Sequence, residues 1–247
     1  MTLLEVCVDD AEGFAAALAG GADRIELCSA LELGGLTPSP GLVAMAAKSP
    51  VPVHAMIRHR PGHFVYSAAE AEVLLADIAA MRAAGLAGVV LGASFSDGRL
   101  DEPLLTRMVE AAAGMAITLH RAFDIVPDHR AAADIAMKLG FGTILTSGGA
   151  ASALAGRDVL ARLARHVGDA ITIMPGAGIS PDVIPDLSRA LPLRAVHGSC
   201  SEADASAPEN AARLGFSSPA RRRTSREKVA ALKAALAAAE MGAASGT

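Results

Sequence analysis

Tryptophan is absent from this 247-residue chain, and Tyr66 is its only tyrosine. Alanine, glycine and arginine are abundant instead, a bias that reflects coding composition more than function. Cysteine is scarce too: Cys7, Cys28 and Cys200 are too few, and odd in number, for a disulfide framework. No apolar run reaches the roughly 18–20 residues that span a bilayer, so no membrane partner is expected. No basic segment followed by an apolar one opens the sequence, and Asp9 and Asp10 come early, so no signal peptide is expected. Basic excess is missing as well. The 22 Lys and Arg against 26 Asp and Glu give a net charge of −4, which argues against a nucleic-acid partner. These absences predict a cytoplasmic protein with reduced thiols.

What is present is apolar and periodic. Hydrophobic residues make up 52% of the chain, enough for a sizeable core in one domain over residues 1–247. Strand-like stretches fall at 3–8, 24–28, 51–58, 88–92, 116–121, 143–147, 171–174 and 195–199. Alanine-rich helical segments lie between them. In 67–84, Val73, Leu74, Ile78 and Met81 are expected on one face. Ser67 with Glu70 reads as a capping box, and Ser180-Pro181 as a helix start. Eight βα units of this spacing predict parallel strands closed into a (β/α)8 TIM-like barrel. The rival doubly wound sheet lacks its Gly-x-Gly-x-x-Gly turn after the first strand. A further helix is expected over 225–241. The basic run Arg221-Arg222-Arg223 with Arg226 reads as a solvated linker and helix start.

Strand parity then assigns faces. In "DRIELCSAL" (residues 23–31), Ile25 and Leu27 face the helices, so Arg24, Glu26 and Cys28 point into the barrel. The same rule turns Glu5, Cys7, His54, Arg58, His120 and His197 inward. A structural barrel interior would hold Val, Ile and Leu, and buried carboxylates need partners. The polar set therefore reads as a site at the C-terminal mouth. Two chemistries fit it. In one, Glu26, His120, Glu5, His54 and His197 perform acid–base catalysis on a small polar or anionic substrate. Arg58, Arg121 and Asp124 would then bind that substrate. The glycine-rich loops "TSGG" (Ser147, Gly148), "PGAG" (Gly176, Gly178) and "HGS" (Ser199) would seat its anion. In the other, thiolates from Cys7, Cys28 and Cys200, on neighbouring strands, hold a soft metal ion.

The stretches "LEVCVDD", "GGADRIELCSAL", "GGLTPS", "MIR", "FVYS", "TLHRAFD", "ILTSGG", "MPGAGI" and "VHGS" run in order through the first 200 residues or so. On them the chain resembles the CutC family, the copper homeostasis proteins. The resemblance implies a TIM-like barrel, a cytoplasmic location, a homodimer, and copper as Cu(I) bound through Cys7 and Cys28. Residues 202–247 match poorly, and Cys200 has no family counterpart. Two positions depart from the family pattern: His63 stands where an Asp is expected, and His59 replaces a Pro. After the eighth strand, Gly198-Ser199 replaces Ser-Ser.

Overall fold

Alternating apolar residues in the short strands, and alanine-rich helices between them, pair as their periods require. A computed structural model describes residues 1–204, 206, 208–218 and 221–245. In chain order the first half holds β1 (Leu3–Val8), α1 (Ala11–Gly20), β2 (Arg24–Leu27), α2 (Pro40–Ala46), β3 (Val53–Met56), α3 (Ala68–Ala83), β4 (Gly88–Leu91) and α4 (Glu102–Ala111). The second half holds β5 (Ala116–Leu119), α5 (His129–Lys138), β6 (Thr143–Thr146), α6 (Arg157–Val167), β7 (Thr172–Pro175), α7 (Ile184–Ala190) and β8 (Ala195–Gly198). Then come β9 (Ser201–Ala203), α8 (Glu209–Arg213), β10 (Arg222–Thr224) and α9 (Arg226–Ser245). Strands β1–β8 run parallel in the order β7-β6-β5-β4-β3-β2-β1-β8. β7 and β8 lie side by side without a ladder, so the expected (β/α)8 barrel is nearly closed.

Parity sorts the side chains as the strand pattern requires. Leu4, Val6, Val8, Ile25, Leu27, Val53, Ala55, Ile57, Leu119 and Val196 are buried in the layer between barrel and helices. Inside the barrel, apolar contacts shrink to two small groups. Cys28, Met56 and Val90 form one, and Leu145, Met174 and Ala195 the other. The polar residues lie between them.

The helix starts are set by side chains that accept otherwise unpaired N–H groups. Asp10 caps α1, and Asp128 caps α5. The Ser67–Glu70 capping box is present at α3. Ser180 precedes a 3-10 turn at Pro181–Val183 but makes no side-chain cap, and α7 begins only at Ile184. Leu74, Ile78 and Met81 are buried as expected, whereas Val73 is exposed, one step around the helix from that stripe. β3 is shorter than its 51–58 pattern. At its far end the Arg58 N–H turns away to the Thr37 hydroxyl.

The basic run is a strand, not a linker. β10 pairs antiparallel with β9, while Arg221 bonds Asp204 and Arg223 bonds Glu202. Helix α9 then packs on α1 and α7 through Val229, Leu232 and Leu236. No helix among the described residues is long and apolar enough to cross a membrane.

Two glycines on and after β4 make room for histidine rings of the neighbouring strands. A Cβ at Gly88 would meet the His54 ring at 2.5 Å, and one at Gly92 would meet the His120 ring at 2.5 Å. Both rings are enclosed, so the clash has no cheap release. Gly92→Ala is predicted to destabilise the fold by about 1–3 kcal/mol. Gly41→Ala, at an open helical position, should be neutral or gain up to about 1 kcal/mol. Urea denaturation checks both, and an unchanged Gly92→Ala midpoint contradicts the clearance account.

Candidate active site at the barrel mouth

Register, rather than parity, decides which inward residues meet. Glu5 lies level with Arg24 on β2 and with His197 on β8. Cys7 lies level with Glu26, and Glu26 with His54. Fully buried Glu5 therefore takes a cation on each side. Arg24 Nε donates to it at 2.5 Å, and His197 Nδ1 lies 2.9 Å away. Burial alone would raise the Glu5 carboxyl. The His197 hydrogen bond and the Arg24 charge outweigh it and hold the group at about 2.

With Nδ1 bound to Glu5, the His197 ring presents Nε2 to the mouth, 3.8 Å from Glu26 Oε2. Cys7 Sγ, a Glu26 carboxylate oxygen and a His197 ring nitrogen lie within 4.8 Å of one another. Burial opposes charge on His197, but Cys7 and the two carboxylates raise its imidazole well above the usual range. Burial also raises the Glu26 carboxyl above its ordinary value.

The same register sets the two expected thiol ligands at different levels. Cys28 is two residues above the level of Cys7, packed on Met56 and Val90, with its thiol donating to Glu26 Oε2 at 3.5 Å. Burial and the Glu26 charge push that thiol well up. Cys200 is also buried, and burial pushes it to about 11.

A cavity of about 290 Å³ opens above Cys7, Glu26 and His197. Arg58, Arg121, His120, Gly178 and Ser199 also line it. Glu5 and His54 lie outside the lining, as does Cys28. His54 is buried, and burial together with the Arg24 charge lowers it to about 4. His120 was expected as an acid–base partner of Glu26. Burial and Arg58 lower it to about 3, so its ring is neutral.

The "TSGG" loop is not an open anion seat, because the chain supplies its own anion. Asp124 accepts the N–H groups of Ser147 and Gly149, at 3.0 and 3.1 Å, and the Thr146 hydroxyl. Gly148 N–H goes to Thr146 Oγ1, and Gly176 N–H to the Thr146 carbonyl. Arg121 Nε also donates to Asp124, at 2.6 Å. The loop after β3 adds a wall that periodicity does not reveal, Phe64, whose carbonyl accepts the Ser94 N–H. His63 is exposed on that loop, and His59 stands 3.4 Å from Glu70.

The histidines make stability depend on pH. His54 and His120 sit at about 4 and about 3 in the fold, against about 6.5 in the unfolded chain. Below pH 6.5 the unfolded chain binds two protons that the fold refuses, so stability falls as pH drops through that window. His197, raised in the fold, acts oppositely: its contribution is complete below 6.5 and is lost at higher pH. Between pH 6 and 5 each depressed histidine should account for a loss of about 1.4 kcal/mol per pH unit. Denaturant titrations at several pH values should show that slope reduced by about one proton in His54→Gln and in His120→Gln. An unchanged slope contradicts buried neutral rings.

The family model described as "CutC family" matches residues 2–202. A protein of Rhizobium meliloti (strain 1021) bearing the CutC name is 57% identical over 233 residues, covering 94% of this chain and 95% of the relative. A CutC-named protein of Caulobacter vibrioides is 50% identical over 238 residues, covering 96% and 97%. Among solved structures, the "Putative Copper Homeostasis Protein CutC" from Streptococcus agalactiae superposes with a TM-score of 0.77 at 27% identity. It covers 81% of this chain and 99% of that one. The barrel, the inward polar layer and these matches over most of its length make the chain a member of the CutC family.

Proposed function

We propose that the mouth of this barrel binds copper as Cu(I), held by the Cys7 thiolate and the His197 imidazole with Glu26 beside them. The observation that carries this reading is the convergence of those three ligand atoms within 4.8 Å at the floor of an open cavity. A thiolate and an imidazole are the donors that a soft monovalent copper ion favours. The Glu5 contact to His197 Nδ1 fits the same role. A metal-binding histidine commonly hands its second nitrogen to a carboxylate, which fixes the ring and leaves the other nitrogen for the ion. Cys28, protonated and turned to Glu26, serves as a support for the carboxylate rather than a ligand. The name of the Streptococcus agalactiae relative is in keeping with copper as the cargo. A cytoplasmic setting, where thiols stay reduced, suits the same chemistry.

Binding must displace the proton that His197, raised in the fold, carries in the free protein, so affinity rises with pH. Anaerobic Cu(I) titration against a competing chelator tests the reading. Cys7→Ser and His197→Gln should each weaken binding by at least about tenfold, and Glu5→Gln by about 10–100-fold through its hold on the ring. Cys28→Ser should retain most of the affinity. Wild-type binding no tighter than that of a cysteine peptide, or equal losses in Cys28→Ser and Cys7→Ser, contradicts it.

A further inference from the structure

The β3–β5 side of the same cavity carries a different set of groups, and all of them are donors. His120 starts the turn after β5 and accepts the Ala122 N–H on its own Nδ1, at 3.1 Å. A nitrogen that accepts cannot carry the proton, so the neutral ring holds its proton on Nε2. That Nε2–H is buried and has no partner among the described residues, and His120 itself is only 3% exposed. An unmet buried donor is costly enough that native structures rarely keep one without a reason.

Arg58 repeats the pattern with a full charge. Its guanidinium donates to three backbone carbonyls, of Leu33, Gly35 and Gly62, at 2.9–3.1 Å. Nε is left without a partner, the residue is 6% exposed, and no carboxylate pairs with it among the described residues. Carbonyls orient a cation but do not neutralise it, and a buried unpaired charge is strongly unfavourable. One ring holds both donors in place. Phe64 stacks 4.8 Å from the His120 ring and 5.3 Å from Arg58 Cζ. Asp124 is committed to Arg121 and the "TSGG" loop, and Glu26 faces Cys28 and His197 through Oε2, with Oε1 left without a partner among the described residues.

We infer that Arg58 and His120 form an oxyanion site, and that the cavity takes a small organic anion whose carboxylate or phosphate oxygens accept from the Arg58 guanidinium and from His120 Nε2–H. The two donors are complementary to an acceptor bearing negative charge, and none is paired with them among the described residues. A cavity of about 290 Å³ limits the ligand to a few heavy atoms beyond the anionic group. His120 acts here as a neutral donor, not as a base. This inference uses none of the proposed metal ligands and does not rest on the copper reading.

The test uses the full chain, free of metal, titrated separately with malonate and with inorganic phosphate. Calorimetry reads affinity, and long-range 1H–15N spectra read the His120 ring. The expected result is one-to-one binding of at least one anion, with the His120 Nε2–H resonance present before addition and shifted on binding. The preferred anion tells a carboxylate ligand from a phosphorylated one. His120→Phe keeps the ring contact with Phe64 and removes the donor, and it should weaken binding about tenfold, as should Arg58→Met. Should Arg58→Met fail to fold, because Arg58 also ties three loop carbonyls, His120→Phe and the wild-type spectra decide the matter. The inference is overturned if His120 carries its proton on Nδ1. It is equally overturned if neither anion moves the Nε2–H signal, or if His120→Phe binds like wild type. Copper plays no part in these measurements, so failure of the metal reading and failure of this one are told apart.

Discussion

A carboxylate with no exposure to solvent, Glu5, sits in the middle of the barrel, and the arrangement of the mouth depends on how its charge is met. Taking an isolated carboxylate out of water costs several kcal/mol, which only close and well-placed partners offset. Glu5 has two, Arg24 on one neighbouring strand and His197 on the other. Both stand level with it in the sheet register. The pairing therefore ties β8, β1 and β2 together, beside the place in the ring where β7 and β8 lack a ladder. It also fixes the His197 ring, and with it the nitrogen offered to Cys7 and Glu26.

The other polar residues follow from that layer. Glu26, one step nearer the mouth, has only a distant imidazole and a thiol beside it, and burial raises its carboxyl. His54 and His120 fit only because β4 places glycines against their rings, and both are held neutral. The floor of the cavity thus brings together a cysteine sulfur, an imidazole and a carboxyl group. The β3–β5 wall is a fixed cation and a neutral donor. One barrel mouth holds two chemistries side by side, and each uses residues the other leaves alone.

Much of this was legible in the sequence, and the reason is geometric. A strand's period of two assigns faces without any knowledge of partners, so Glu5, Glu26, His54, His120 and His197 could be turned inward from spacing alone. The stagger between strands is not written in any one strand. Parity put Cys7 and Cys28 on the same wall, yet register sets Cys7 level with Glu26 and leaves Cys28 behind it. The loops misled for a similar reason. The glycines of "TSGG" do expose N–H groups, but Asp124, 22 residues from Thr146, fills them. Phe64 lies in an aperiodic loop with no pattern to mark it as a wall. The arginine run looked like a linker because its partners, Glu202 and Asp204, lie on the far side of a loop.

Glu5 and His197 form one energetic unit. A double-mutant cycle in urea, with Glu5→Gln, His197→Gln and the pair together, measures it directly. The account predicts a large loss for the first substitution and a much smaller one for the second. The coupling between them should be roughly 1–3 kcal/mol, as for contacting members of a buried network. Losses that add within about 0.5 kcal/mol would show the two residues to be independent, and would contradict the account.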